Sequence, residues 1–173
     1  MKSPFLERRG FTLFELVLVL LLISLAAALV APRAVSLSER RMEASARDMH
    51  AMARRARSVA VTRGITARMN FDAEAGSFWL EIEEDPFEAP GVFERAWGAW
   101  GEGMRLGEGV SFAEPPPESV LFKPDGSAQD SLVVITDGEG GRIGLEIRGA
   151  TGLSRVVEGE ELEFLGSLSL AGR

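Results

Sequence analysis

The sequence contains no cysteine and only one histidine among its 173 residues. Without cysteine the chain can form no disulfide, no thiolate zinc site and no cysteine nucleophile. The single histidine, His50, lies outside any nucleophile motif, so no serine, histidine and aspartate relay can be proposed. Neither of the glycine-rich phosphate-binding patterns, GxGxxG or GxxxxGK[ST], occurs in the chain. These absences predict a protein that is not an enzyme and that needs no cofactor.

Acidic residues outnumber basic residues by 26 to 19, but the two kinds of charge are unevenly distributed. Residues 32–63 carry eight arginines against three acidic residues, whereas residues 64–173 carry eight basic against 21 acidic residues. We call residues 64–173 the body. Their excess of negative charge repels polyphosphate, so nucleic acid is an unfavourable partner. The cluster of Arg54, Arg55 and Arg57 is compatible with phosphate or lipid headgroup binding. A solvated face, or pairing with the acidic body, explains the cluster better.

Residues 11–31, FTLFELVLVLLLISLAAALVA, form one long apolar run. About 20 helical residues match the thickness of a bilayer, so the run predicts a transmembrane helix. A cleavable secretory signal is the alternative, but its apolar centre spans only about 7 to 15 residues. Lys2, Arg8 and Arg9 precede the run and predict a cytoplasmic N-terminus, with the body outside. A carboxylate in a span is costly, so Glu15 either has a function or snorkels to the interface.

A short basic leader ending in glycine, RRG, precedes FTLFEL, the apolar run and a proline. This order resembles the signature of type IV pilins and type II secretion pseudopilins. The resemblance implies that residues 1–10 are a leader, which prepilin peptidase cleaves between Gly10 and Phe11 before the Phe11 amine is methylated. It also implies that Glu15 is the assembly carboxylate. The physical argument agrees, because the positive amine of Phe11 on a neighbouring subunit would compensate a carboxylate in the membrane.

The helix is predicted to continue beyond the apolar run into residues 32–63. Pro32 lacks a backbone donor and should kink or interrupt the helix. One apolar stripe follows at helical spacing: Val35, Met42, Met49, Met52, Ala56 and Val59. We expect this stripe to pack against a folded body, with a promiscuous methionine-rich binding face as the alternative. Gly64 should end the helix directly after Arg63.

Residues 64–173 show short runs separated by turns. ITARMNFD and SFWLEIEE, joined by AEAG, predict a hairpin. Further strands are predicted for the runs GVSFA, SVLFKP, SLVVITD, RIGLEIR, LSRVVE and ELEFL. The fold class is therefore α+β: a long N-terminal helix, half transmembrane and half packed on the body, followed by an antiparallel β-sandwich or curved sheet.

The segment 84–108 has no clear period and is interpreted as an extended connection. Its aromatic side chains should anchor it either to the body or to a partner, and Trp97 and Trp100 are the candidate partner contacts.

The turns DGSAQD and DGEGG place carboxylates close together in the sequence: Asp125, Asp130, Asp137 and Glu139. Calcium prefers oxygen ligands of this kind, but the spacing does not match an EF-hand loop. Because aspartate and glycine are the ordinary residues of tight turns, no metal site is predicted.

Two further passages narrow the resemblance to the type II secretion protein H and FimT minor pilin group, a GspH/FimT-like family. They are RRARSVAVTRGITARMNF, and VLFKPDGSA followed by SLVVITDGEGGRIGLEIRGATGLSRVV. The resemblance implies a minor pseudopilin that crosses the bacterial inner membrane once, with a periplasmic C-terminal domain. It would assemble into the periplasmic pseudopilus that drives exoprotein export. The implied partners are prepilin peptidase, which is also the N-methyltransferase, the inner-membrane assembly platform, and other major and minor pseudopilins.

Two alternatives remain open at this point. One is a FimT-like minor pilin of a type IV pilus. The other belongs to a different class, a membrane-anchored periplasmic binding domain in which segment 84–108 lines a ligand site and nothing polymerises.

Overall fold

A computed structural model describes residues 12–171 of the chain, with side chains described over residues 12–26 and 37–167. The predicted processing residues Gly10 and Phe11 lie outside the described residues. The chain divides after Leu37 into two units. Helix α1, Leu13–Arg63, contributes to both of them. Helix α1 continues through Pro32, so the proline does not end it. A kink at this position stays a prediction.

The apolar stripe of α1 packs into the core of the second unit, as its spacing predicts. Met49, Met52 and Ala56 are fully buried, and Met42 and Val59 are nearly so. A helix that shows one apolar face every 3.6 residues gains its stability by burying that face. The stripe is therefore a packing surface rather than an exposed methionine-rich binding face.

Helix α1 ends at Arg63, and Gly64 follows directly as its predicted C-terminal cap. Gly64 adopts a φ of 69°, in the left-handed region that glycine occupies without a Cβ penalty. The N–H groups of Gly64 and Ile65 both donate to the carbonyl of Ala60, at 3.0 and 3.3 Å. This termination satisfies a carbonyl that would otherwise lack a partner and turns the chain into the first strand.

The first antiparallel sheet has the strand order β3-β2-β1-β6, and β4 also pairs with β2. Its strands are β1 Ala67–Asp72, β2 Ser77–Asp85, β3 Ala89–Arg95, β4 Met104–Arg105 and β6 Ser119–Phe122. The predicted hairpin is confirmed, since β1 and β2 pair in an unbroken register from Ala67 opposite Ile82 to Asp72 opposite Ser77. Asp72 accepts hydrogen bonds from two backbone N–H groups of the intervening turn, an ordinary use of aspartate at such a position.

The second antiparallel sheet has the order β5-β7-β8-β9. Its strands are β5 Ser111–Phe112, β7 Ser131–Thr136, β8 Arg142–Arg148 and β9 Leu153–Glu158. Val133, Ile135, Leu145 and Ile147 point from it into the same core as the α1 stripe and the inner residues of the first sheet. The α+β class with antiparallel sheets is thus confirmed.

Within the described residues, no helix combines the length and the apolar character that a membrane crossing requires.

Two expectations about the C-terminal unit are wrong. The run ELEFL is not a strand but belongs to helix α3, Gly159–Ala171. Glu160 and Glu161 lie in its first turn, where acidic side chains interact favourably with the positive end of the helix dipole. Leu162 is buried against β8, and a Cβ at Gly144 would lie only 2.6 Å from its Cδ1. The glycine therefore makes room for the leucine that ties α3 to the sheet.

The segment 84–108 is not one extended connection either. It contains β3, a short helix α2 at Ala99–Glu102, and β4. β3 pairs with β2 through Glu81 opposite Arg95 and Glu83 opposite Phe93, with a register shift between Glu83 and Asp85. The parts of the segment that form β3 and β4 are thus hydrogen-bonded to the first sheet.

Candidate functional site

The start of α1 combines a helix cap with an acidic residue. The hydroxyl of Thr12 accepts a hydrogen bond from the backbone N–H of Glu15 at 3.2 Å. Threonine followed three residues later by glutamate is the capping-box pattern, which the sequence by itself could have indicated. Glu15 is exposed and lies in the first turn, where a carboxylate is favoured by the helix dipole. The cap sets where the helix begins and so fixes where Glu15 stands along it.

The first turns of α1 expose apolar side chains in every direction. Every side chain from residue 12 to 26 is exposed, including Phe14 at 76%, Val19 at 44% and Leu22 at 55%. The hydroxyl of Ser24 donates to the Leu20 carbonyl at 2.6 Å, so this polar group is satisfied within the helix. A helix that is apolar all round is expected to be buried among other helices or in lipid. Among the residues with described side chains, this segment is therefore the one that most needs a partner.

The two candidate partner-contact tryptophans have different environments. Trp100 is partly buried and packs against the core. Trp97 is 60% exposed, and the guanidinium of Arg63 lies 4.2 Å from the centre of its ring. Both rings line a cavity of only about 50 Å³, together with Val59 and Leu80. The tryptophans thus anchor this segment to the end of α1 within the same unit, while partner contact by the exposed part of Trp97 stays a prediction.

The outer face of the first sheet carries arginine and aromatic side chains that pair with one another. Arg68 forms an ion pair with Glu81 at 2.6 Å and lies 4.2 Å from the ring centre of Phe93. Arg95 lies 4.5 Å from the ring centre of Trp79. Burial would raise the pKa of Glu81, but hydrogen bonds from Trp79 and Arg68 together lower it. The charges of Arg68, Glu81 and Arg95 are thus engaged within this face.

The carboxylates of the turns between β6 and β9 bind backbone N–H groups. Asp125 accepts from the backbone N–H and the hydroxyl of Ser127, and Asp130 accepts from Gly149 at 2.6 Å. Asp137 accepts from the N–H groups of Glu139 and Gly141, both at 2.9 Å. Within the described residues, no three acidic or histidine side chains converge as a metal site would require. Turn geometry accounts for these residues.

A cleft of about 670 Å³ lies between α1 and the turn that precedes β9. We call it the basic groove, because its lining includes His50, Arg54 and Arg57 and, within the described part of the chain, no acidic residue. The Arg57 Nε donates to the Thr151 carbonyl at 2.8 Å, and the Ser154 hydroxyl is hydrogen-bonded to the His50 Nδ1 at 3.0 Å. These two bonds tie the helix to the turn and define the floor of the groove.

Gly152 allows the turn to approach α1 so closely. It has a φ of 60°, and a Cβ there would lie 2.4 Å from the Gly126 carbonyl and 3.3 Å from the Arg57 side chain. Only a glycine fits between a second turn and the arginine. The sequence indicated the arginine cluster but not this groove, because Thr151 in the turn is 94 residues away from Arg57 along the chain.

The pKa of His50 lies below its ordinary value of 6.5, firstly because the ring is desolvated and secondly because Arg54 is close. We predict that Arg54→Gln raises this pKa without restoring the ordinary value, since the larger cause remains. An NMR titration of the single histidine ring measures the change directly. Arg47→Gln is the matched control, because Arg47 lies one turn away and pairs with Glu43 at 2.8 Å. Equal shifts in both variants would contradict the assignment to Arg54.

A long N-terminal helix with an exposed apolar start, packed farther along against antiparallel sheets, defines the class of pilin-like subunits. The model of one family within this class, type II transport protein GspH, matches residues 45–159. The chain belongs to this GspH family and is a type II secretion minor pseudopilin. No curated protein sequence matches the chain significantly.

Solved structures of similar fold include two of the minor pseudopilin EpsH from the type 2 secretion system of Vibrio cholerae. The first has 13% sequence identity and a TM-score of 0.55, and the match covers 68% of this chain and 97% of that one. The second has 12% identity and a TM-score of 0.52, with 70% and 96% covered. The type IV minor pilin FimU of Pseudomonas aeruginosa has a lower TM-score, 0.46, at 17% identity. That match covers 66% of this chain and 91% of FimU. At these identities the EpsH structures establish the shared fold.

Proposed function

We propose that this minor pseudopilin is held in the inner membrane by residues 11–31 and is then assembled into the periplasmic pseudopilus through the same helix. The observation that carries the proposal is the apolar surface of residues 12–26, which is exposed on all sides and interrupted near its start by Glu15. The N-terminus would be cytoplasmic and residues 64–173 periplasmic. The fully exposed apolar helix supports a subunit that either lies in lipid or packs against other helices.

Assembly would exchange one apolar environment for another. Lipid tails are as apolar as leucine, so moving residues 12–26 from lipid into a bundle of helices changes the hydrophobic free energy little. The free energy that favours assembly would instead come from Glu15, whose carboxylate would pair with the Phe11 amine of a neighbouring subunit once water is excluded. This pair would also set the stagger between subunits, because it forms at only one relative height. Pro32 would allow the helix to bend between the filament core and the body.

Processing must precede assembly, since the Phe11 amine exists only after the leader is removed. The proposed partners are accordingly prepilin peptidase, which cleaves after Gly10 and methylates Phe11, then the assembly platform of the inner membrane, and then the other pseudopilins. Membership of the GspH family supports assembly with other pseudopilins.

We predict that the mature protein begins with N-methylated Phe11. Mass spectrometry of the protein isolated from its own membrane, with sequencing of the N-terminal peptide, measures this directly. A strain without the peptidase is the control and should contain the chain with residues 1–10 intact. Retention of Met1 in the normal strain, or cleavage near Ala31 as at a secretory signal, would contradict the proposal.

A further inference from the structure

The basic groove carries positive charge that no neighbouring carboxylate balances. Among the described residues, no acidic side chain forms an ion pair with Arg54 or Arg57. The Arg57 Nε is held by the Thr151 carbonyl, and its terminal N–H groups have no hydrogen-bond acceptor in the described part of the chain. Helix α1 is locally rich in arginine, and the turn at Gly152 places two of these guanidiniums in one cleft.

The remaining lining of the groove can bind a polar chain. Three hydroxyl groups line it beside the guanidiniums: that of Ser58, that of Thr62, which donates to the Ser58 carbonyl, and that of Ser154, which is bonded to His50. At the rim, Val61 and Leu153 are exposed, at 45% and 56% respectively. The volume of about 670 Å³ is in the range of clefts that bind ligands. The groove therefore offers charge, hydrogen-bonding groups and apolar contacts together.

We propose that the basic groove binds a carboxylate-bearing segment of a neighbouring pseudopilin subunit. Guanidinium groups bind carboxylates through paired, charge-assisted hydrogen bonds, and Arg54 and Arg57 supply two such groups. This proposal rests on the proposed function, because assembly is what brings a second subunit to this face.

The negative charge of residues 64–173 favours some anionic partners of the groove over others. Residues 64–173 carry 21 acidic residues. An extended polyphosphate or an anionic membrane surface would meet many of these charges at once and be repelled. A short acidic segment can enter the groove and meet only the arginines. An acidic loop of a protein is accordingly the anion that the groove and its surroundings fit together.

A fluorescein-labelled hexaglutamate peptide, titrated by anisotropy against the full-length protein in an uncharged detergent, tests the proposal. We expect binding to weaken about tenfold in Arg54→Gln, since a charge-assisted hydrogen bond is lost. The Arg54 side chain makes no hydrogen bond to the rest of the described chain, so this variant should fold normally. Circular dichroism and thermal melting verify that it does. The opposite-charge variant Arg54→Glu should abolish binding.

Arg55→Gln is the matched control. It removes the same charge from the adjacent residue, but Arg55 lines the small cavity beside Trp97 instead of the groove. It should bind the peptide as the unmodified protein does. Equal weakening in both variants would mean that the peptide senses only overall charge, and the proposal would be wrong. An absence of peptide binding would overturn it too, as would tighter binding of inorganic phosphate or of phosphatidylglycerol vesicles.

The titration is independent of filament assembly, so the two proposals can fail separately. If the mature protein lacks N-methylated Phe11 but the groove binds the peptide, the proposed function is wrong and the groove remains an acidic-segment site. If Phe11 is processed and pseudopili contain the subunit, but peptide binding is absent, only the groove proposal is overturned.

Discussion

Glu15→Ala is expected to leave cleavage and methylation at Phe11 intact and to remove the subunit from pseudopili. Glu15 lies in the capped first turn of α1, and its side chain is exposed among apolar neighbours. In an assembled bundle this position would be closed to water. Removing one partner of a buried ion pair destabilises by about 3–5 kcal/mol, because the other charge is left unpaired. That loss corresponds to a factor of about 100 or more in the binding of the subunit to its neighbour.

The measurement uses a strain that lacks the chromosomal gene and carries either the normal gene or the variant. Deletion should abolish exoprotein secretion rather than twitching, and the normal gene should restore it. Incorporation is then measured as the fraction of subunit in sheared pseudopili. Glu15→Gln should be defective as well, since the neutral amide keeps the shape but not the charge.

Glu39→Ala is the matched control for loss of an acidic side chain from α1. Glu39 is exposed in the same helix but lies beyond the predicted membrane span. It should support normal secretion. Full incorporation of Glu15→Ala would show that Glu15 merely snorkels to the interface and that another contact sets the stagger. Loss of Phe11 processing in the variant would place its defect before assembly.

Local patterns predicted those parts of the fold where one signal dominates. The methionine stripe of α1 repeats at the helical period over several turns, and Gly64 can end a helix because it tolerates a positive φ. The β1-β2 hairpin likewise has a short turn that ends in glycine between two strand-like runs. In each case the physical preference is local, so the sequence nearby contains all that is needed.

Prediction failed where tertiary contacts decide between two local possibilities. ELEFL is only five residues long, and its alternation suits a strand as well as the first turn of a helix. Leu162 decides the outcome, because it fits the space that Gly144 leaves on β8. β3 includes a proline and a glycine and is mostly exposed, so it shows no alternation that would have revealed it. Its pairing with β2 is visible only in the folded sheet.

The two candidate sites also differ in this respect: the sequence indicates one of them, and only the folded chain shows the other. Glu15 is informative from sequence because a carboxylate in an apolar run is unusual wherever the chain folds. The basic groove needs α1 and the distant turn at Gly152 to meet, and no local pattern in the sequence indicates that contact. Arg68 and Arg155, for example, are paired with Glu81 and Glu146, whereas Arg54 forms no ion pair with any residue that the structure describes. Only the folded arrangement separates committed from uncommitted charges.

Phe78→Ala is expected to lower the free energy of unfolding of the body by about 3–5 kcal/mol. Phe78 lies on the inner face of β2 and is completely buried in the core that α1 and both sheets share. Truncation removes apolar contacts and leaves a cavity that the close-packed surroundings fill only in part. Since domains of this size are stable by only about 5–15 kcal/mol, the loss is a large fraction of the total.

Urea unfolding of the full-length protein in an uncharged detergent, followed by tryptophan fluorescence, measures the change. All three tryptophans lie in residues 64–173, so the signal reports on the body and not on the apolar start of α1. Phe87→Ala is the matched control, because the same side chain is 94% exposed at position 87. It should change stability by no more than about 0.5 kcal/mol. Equal losses in the two variants would contradict the packing of β2 against the α1 stripe, since only a buried phenylalanine leaves a cavity behind.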